Sequence, residues 1–142
     1  MARAYSAWAL ATCGDDDAAA FLRSATMAGR HPFFAMFGWV GLGLRGDPGA
    51  FADMEAGFVS PNKLMRYAAA WGLSVFKGPK AAECLSARIS LEKQDEVRAL
   101  LFRGLGGMVS SPSPDALSAI ARDIPGTAKA ALPALQRILA GR

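Results

Sequence analysis

The chain has 142 residues, of which 52% are hydrophobic and 20% charged, and this composition excludes an intrinsically disordered protein. Its net charge of +4 comes from residues 72–142, where ten Lys or Arg stand against six acids, whereas residues 1–71 hold six of each. This excess is weaker than the clustered basic face of a dedicated nucleic-acid-binding protein. Abundant Ala and Leu, with few β-branched residues, favour helices.

Cysteine and hydropathy patterns point to a cytoplasmic protein. Cys13 and Cys84 lie far apart, and no Cys and His residues have the spacing of a zinc site. Residues 10–13 resemble the end of a lipoprotein signal, but the apolar stretch before them is short and is broken by Ser6. No apolar run approaches the ~20 residues of a membrane span. We therefore expect reduced thiols, no cofactor, no metal and no membrane segment.

Four similar segments follow one another along the chain, and each is centred on a leucine between two small residues. These leucines are Leu10, Leu42, Leu73 and Leu105, with spacings of 32, 31 and 32 residues. Twelve residues after each comes a second apolar position, occupied by Leu22, Met54, Leu85 and Leu117. Between the two positions lies a break rich in Gly, Asp, Ser and Pro, residues that end one helix and begin the next. Each segment therefore predicts a helix A, a tight turn and a helix B.

In chain order, the pattern predicts four helix pairs and a ninth helix. Their ranges are 2–13 and 15–26, 33–45 and 48–58, 62–76 and 79–89, 94–109 and 113–122, then about 127–140, where Pro133 kinks or splits the helix. The repeats span about 1–28, 29–60, 61–91 and 92–124, followed by a C-terminal helix segment over 125–142, in a single domain over 1–142. Small residues beside the anchor leucines predict close approach of neighbouring helices.

The repeated pattern resembles the HEAT-like repeats named after phycobilisome lyases. The shared pattern is Ala-x-x-Gly-Leu, then Gly with Asp or Pro, then Ala-x-x-x-Leu, with an Arg near the start of helix A. The clearest copy spans residues 65–85, and residues 97–108 are nearly as similar. Two copies depart from it, since Ala35 replaces the Arg in the second and the fourth lacks the Gly-Asp turn. The resemblance implies an all-α fold, a right-handed alpha-alpha superhelix (HEAT-like solenoid) of about four helix pairs plus a C-terminal helix.

The resemblance is specific for architecture and weak for function, because proteins with these repeats include chromophore-lyase subunits, assembly scaffolds, signalling adaptors and DNA glycosylases. We expect a non-enzymatic protein–protein interaction scaffold. The alternatives are a nucleic-acid-binding HEAT-like module of the glycosylase type and a bilin-lyase-type subunit that handles a chromophore. The expected partner is another protein. A second copy is also a candidate, because the predicted helix A1 begins at residue 2 without an N-cap residue before it.

Three arginines and one histidine are candidate chemical groups. Arg3, Arg66 and Arg98 occupy one repeat position, either as an anion-binding ladder or as partners of backbone carbonyls and neighbouring acids. The second interpretation is favoured. His31, the one histidine, precedes Pro32 in a predicted loop and has no recognisable nucleophile motif, so a solvated loop residue is favoured.

Aromatic and acidic residues also have two interpretations. Trp8 and Trp71 share a repeat position, and Trp39 lies one position away. One interpretation is that they line a groove that binds a chromophore or stacks on a base, and the other is that they fill the core between the helices. The core is favoured. The acidic run over residues 15–17 has no calcium-loop spacing and lies where a helix N-terminus attracts acids.

The resemblance suggests that the B helices line a concave face that binds a partner. The polar residues predicted there are Asp17, Arg23, Asp53, Glu55, Lys80, Glu83, Ser86, Asp115 and Ser118. This set is mixed and rather acidic, which suits a protein segment better than a phosphate backbone.

Overall fold

The computed structural model describes Ser6, Ala9, Leu10 and residues 15–27, 32–76 and 78–106. Every regular element among these residues is helical, which confirms the all-α prediction. The six helices are α1 (Asp16–Met27), α2 (Pro32–Arg45), α3 (Pro48–Gly57), α4 (Lys63–Phe76), α5 (Pro79–Ile89) and α6 (Asp95–Gly106). Helix A1, apart from its three described residues, the helix predicted at 113–122 and the C-terminal helix lie outside the described residues. None of the described helices is long and apolar enough to span a membrane.

The helix ends follow local sequence signals, and those of α1 to α5 lie within one residue of the prediction. At the end of α2, Gly46 has a φ of 72°. Its N–H donates to the Gly43 carbonyl at 3.0 Å and the Asp47 N–H donates to the Leu42 carbonyl at 3.0 Å, a Schellman pair that closes the helix. Pro48 then occupies the first turn of α3, where its missing N–H has no cost.

The chain divides into two compact units, Met1–Phe76 and Lys77–Arg142. In the first unit, α2 packs against α1, α3 and α4, while α3 also contacts α1 and α4. The A-type helices α2 and α4 thus form one layer and the B-type helices α1 and α3 form the other. In the second unit, α5 packs against α6.

Glycines beside the anchor leucines bring α2 and α4 together, as predicted. A Cβ atom placed on Gly43 would lie 2.4 Å from the carbonyl oxygen of Gly72. A Cβ on Gly72 would lie 2.7 Å from the Sδ atom of Met54. Neither distance is compatible with a larger side chain unless the neighbours move, so the layer spacing depends on these two residues.

The core contains three of the four anchor leucines, Leu42, Leu73 and Leu105, together with Leu22, Met54 and Leu85 of the second apolar column. The first anchor differs, because Leu10 is 41% exposed. Trp39 is buried, as predicted, whereas Trp71 is half-buried and forms tilted and edge-on contacts with Phe37 and Tyr67. Trp8 lies outside the described residues.

Candidate protein-binding face

Helices α1 and α3 each turn one side toward α2 and leave the other side exposed. On α1, Ala19, Leu22 and Thr26 are buried at helical spacing, and the Thr26 methyl group lies against Gly38 of α2. We call the exposed residues of both helices, together with the half-buried Asp53, the outer face. Its members are Asp16, Asp17, Ala20, Phe21 and Ser24 on α1, and Pro48, Gly49, Ala52, Asp53, Glu55 and Ala56 on α3.

An ion pair joins the two helices that form the outer face. The Nη1 atom of Arg23 in α1 lies 2.6 Å from the Oδ2 atom of Asp47, the N-cap residue of α3. The second oxygen of Asp47, Oδ1, accepts the Ala50 N–H at 2.9 Å. One buried carboxylate therefore caps α3 and ties it to α1.

Asp53 lies beside this ion pair and is half-buried. Burial raises the pKa of its carboxyl group above the ordinary 3.8, the positive charge of Arg23 opposes that increase, and the negative charge of Asp47 adds to it. Among the described residues, Asp53 has neither a hydrogen bond nor an ion pair for its side chain. The carboxylate is thus partly desolvated, while Arg23, whose charge acts on it, is bonded to Asp47.

The acidic start of α1 stabilises the helix and orients it. Asp15 accepts the Ala18 N–H at 3.0 Å, while Asp16 and Asp17 occupy the first turn, where the helix dipole favours negative charge. The Nη2 atom of Arg45, at the end of α2, lies 2.7 Å from the Oδ1 atom of Asp16. This agrees with the interpretation of the acidic run as a helix-terminus feature.

Charge is unevenly divided along the described chain. Helices α1 to α3, with Asp15 and Asp47, carry six acids and two arginines, a net charge of −4. Residues 78–106 carry five bases and four acids, a net charge of +1. The outer face is therefore acidic, although the whole chain has a net charge of +4.

Four of the predicted site residues lie on α1 and α3 in the first unit. Asp17 and Glu55 are exposed on the outer face, and Arg23 and Asp53 are half-buried between α1 and α3. Phe21, which was not among the predicted site residues, is 59% exposed on the same side of α1 as Asp17. Its position four residues after Asp17, off the buried stripe of α1, was the available signal.

The remaining predicted residues lie elsewhere. In the second unit, Lys80 and Glu83 are exposed on α5, whereas Ser86 is only 6% exposed and its hydroxyl donates to the Glu83 carbonyl at 3.0 Å. Ser86 therefore does not belong to an exposed face. Asp115 and Ser118 lie outside the described residues.

The arginine column makes local contacts. Arg66 donates from Nη1 to the carbonyls of Ser60 and Pro61 at 2.9 and 3.0 Å, and the Nη2 atom of Arg98 lies 3.8 Å from Asp95. These contacts match the pairing interpretation, since Arg66 bonds backbone carbonyls and Arg98 lies near an acid of its own helix. Arg3 and His31 lie outside the described residues.

Two groups of the second unit do not form a chemical site. Glu92, 3% exposed, accepts the N–H groups of Lys93 and Gln94 at 3.0 Å, and so orders the turn before α6. Cys84 is half-buried and forms no disulfide. Within the described parts of the chain, no three His, Cys, Asp or Glu side chains are placed to hold a metal ion.

Comparison with known proteins supports the repeat. Residues 2–26 match the family model of the PBS lyase HEAT-like repeat. No curated protein and no solved structure matches the chain. The matched segment coincides with the first predicted helix pair, and α1 is its second helix. Residues 2–26 are thus similar to a PBS lyase HEAT-like repeat, and the described helices that follow have the same helix–turn–helix pattern.

Proposed function

We propose that this chain is a non-enzymatic scaffold that holds a segment of another protein on the outer face of α1 and α3. The observation that carries the proposal is the outer face itself, an exposed surface made by two helices that are fixed to each other by the Arg23–Asp47 ion pair. A surface that is ordered before binding loses less conformational entropy when a partner docks. HEAT-like repeats commonly present such helix layers to partners, which agrees with the match over residues 2–26.

The charge of the outer face favours protein over nucleic acid. A nucleic-acid backbone gains its affinity from Lys and Arg that replace counterions, and it would meet a net charge of −4 here. Arg23 and Arg45, the two described arginines of α1 to α3, already lie within ion-pair distance of Asp47 and Asp16. A protein segment, with polar and apolar groups together, is the better complement.

A pull-down from the source lysate tests the proposal, with and without nuclease, and with bound proteins identified by mass spectrometry. Glu55→Lys, alone or with Asp53→Lys, reverses charge on the outer face, and Glu96→Lys on α6 is the matched control because Glu96 is also exposed. We expect a protein that is retained after nuclease treatment, bound by the control and lost by the outer-face variants.

Two results would contradict the proposal. Capture that disappears with nuclease would indicate nucleic acid as the partner. Capture that is equally strong for Glu55→Lys and for Glu96→Lys would show that the partner binds outside the outer face.

A further inference from the structure

We infer that the segment bound by the outer face is basic, and that Asp53 receives one of its lysine or arginine side chains. This inference rests on the proposed function and adds the chemistry of the partner. The occupant is a cationic stretch of another protein that also carries an apolar side chain.

The outer face has carboxylates that the described protein does not neutralise. Arg23 and Arg45 are 2.6 and 2.7 Å from Asp47 and Asp16, so each arginine is already paired with an acid. Asp17, Asp53 and Glu55 have no hydrogen bond or ion pair from their side chains among the described residues. Three negative charges on two neighbouring helices thus remain available to a positively charged partner.

Of the three carboxylates, Asp53 would be stabilised most by a partner cation, because it is the one that is half-buried. Its half-buried position disfavours the charged form, and the attraction of Arg23, although larger than the repulsion of Asp47, does not fully offset this desolvation. A partner cation placed against Asp53 would offset the remaining desolvation of its carboxylate, since the side chain of Arg23 is bonded to Asp47. A partly desolvated ion pair is screened less by salt and solvent than a fully exposed pair.

The surface around Asp53 is open to a polypeptide chain. Gly49, Ala52 and Ala56 are exposed on α3, and Ala20 is exposed on α1. Gly49 lies against the Arg23 side chain, since a Cβ there would be 3.1 Å from Cδ. Small side chains let another backbone approach closely. Phe21, 59% exposed on α1, offers an apolar contact to the same partner.

The described part of the second unit is a poorer occupant than a basic segment. The described residues of the second unit carry a net charge of only +1, and Arg88 and Arg98 lie 4.0 and 3.8 Å from acids of their own segment. Lys80, Lys93 and Arg103 are exposed, but Glu83 and Glu96 are exposed as well. This mixed surface complements the outer face less well than a basic segment does.

The test uses the full chain and two fluorescently labelled helical peptides that are identical except for Lys in one and Glu in the other, at positions between Ala and Leu. Fluorescence anisotropy gives the affinity of each. We expect the Lys peptide to bind, the Glu peptide not to bind, and binding to weaken as salt rises from about 50 to 200 mM. Asp53→Asn should weaken the Lys peptide at least about tenfold. Glu96→Gln, which removes the same charge from α6, should change nothing.

Equal binding of the two peptides, or equal effects of Asp53→Asn and Glu96→Gln, would overturn the inference. A dimer of the free chain that dissociates in Asp53→Asn would also overturn it, in favour of a second copy. The experiments distinguish failure of this inference from failure of the proposed function. A lysate partner that is lost by Glu55→Lys but is insensitive to Asp53→Asn and to salt would leave the scaffold intact and remove only the basic segment.

Discussion

At the residue scale, Asp47 has two bonds that stabilise different parts of the first unit. One carboxylate oxygen accepts the Ala50 N–H at the start of α3, and the other lies 2.6 Å from Arg23 of α1. Because the side chain is buried, water does not replace either bond when it is removed. The dipeptide Asp47-Pro48 is typical of a helix start, so the cap has a local sequence signal, whereas the partner Arg23 has none.

We predict that Asp47→Ala lowers the free energy of unfolding by about 2–4 kcal/mol, because it removes an N-cap and leaves Arg23 without its carboxylate. Urea unfolding followed by circular dichroism measures the change. Glu55→Ala is the control, since Glu55 is exposed, and it should stay within about 0.5 kcal/mol of the wild type. Equal stability of the two variants would show that the ion pair contributes nothing measurable.

Asp53 gives the chain a defined dependence of stability on pH. Its pKa is raised above 3.8 in the folded state, so the folded state holds this proton more tightly than the unfolded state. The contribution of this group is most favourable below about pH 3.8 and decreases as the pH rises through the folded-state pKa. Asp53→Asn removes the charged form and with it this decrease.

We therefore expect Asp53→Asn to be more stable than the wild type at pH 7 and equal to it at low pH. The unfolding free energies of both proteins, measured across this range, give the difference directly, and other titrating groups cancel in the subtraction. A variant that is less stable than the wild type at pH 7 would mean that the Asp53 carboxylate stabilises the fold through Arg23.

At the element scale, the effect of replacing a glycine by alanine depends on whether the new methyl group meets backbone or a side chain. Gly43, between α2 and α4, is the case in which it meets backbone. Gly43→Ala places a methyl group 2.4 Å from the Gly72 carbonyl oxygen, which moves only if the helices separate. Helix propensity favours Ala by about 1 kcal/mol, but overpacking costs about 1–3 kcal/mol or more. We predict a net loss of about 1–2 kcal/mol for Gly43→Ala.

Gly49→Ala is the matched substitution with the opposite expectation. Its new methyl group would meet Arg23 Cδ at 3.1 Å and Asp47 Oδ1 at 3.3 Å, both side-chain atoms, and shifts of a few tenths of an ångström relieve these contacts without separating the helices. The gain in helix propensity then decides the outcome, and we expect an unchanged or slightly higher unfolding free energy. Thermal unfolding of both variants tests the pair. A stabilising Gly43→Ala would show that α2 and α4 tolerate a wider separation.

The elements themselves were predictable because their limits are local. Gly46, Asp47 and Pro48 specify a helix end and a helix start within three residues, and Gly78 with Pro79 specifies the next pair. The pairing of Arg23 with Asp47 was not predictable, since 24 residues separate them and tertiary packing brings them together. Ser86 shows the same limit. Its polarity suggested exposure, but it lies on the buried stripe of α5 with Ala82 and Ile89.

At the scale of the whole molecule, the division into two compact units has consequences for local opening. In repeat proteins, stability is approximately a sum of repeat and neighbour terms, so a core substitution affects its own neighbourhood most. Leu42 in the first unit and Leu105 in the second are both fully buried anchors of the same repeat column. They therefore form a matched pair for testing how far destabilisation spreads along the chain.

We predict that Leu42→Ala and Leu105→Ala each cost about 2–5 kcal/mol, because both leave a cavity in a packed core. Amide hydrogen exchange followed by mass spectrometry locates the effect. Leu42→Ala should accelerate exchange in α1 to α4 more than in α5 and α6, and Leu105→Ala should do the reverse. If both variants accelerated exchange equally across all six helices, the chain would open as one cooperative body. In that case a partner bound on the outer face would stabilise the second unit as strongly as the first, because ligand binding stabilises every part that unfolds together.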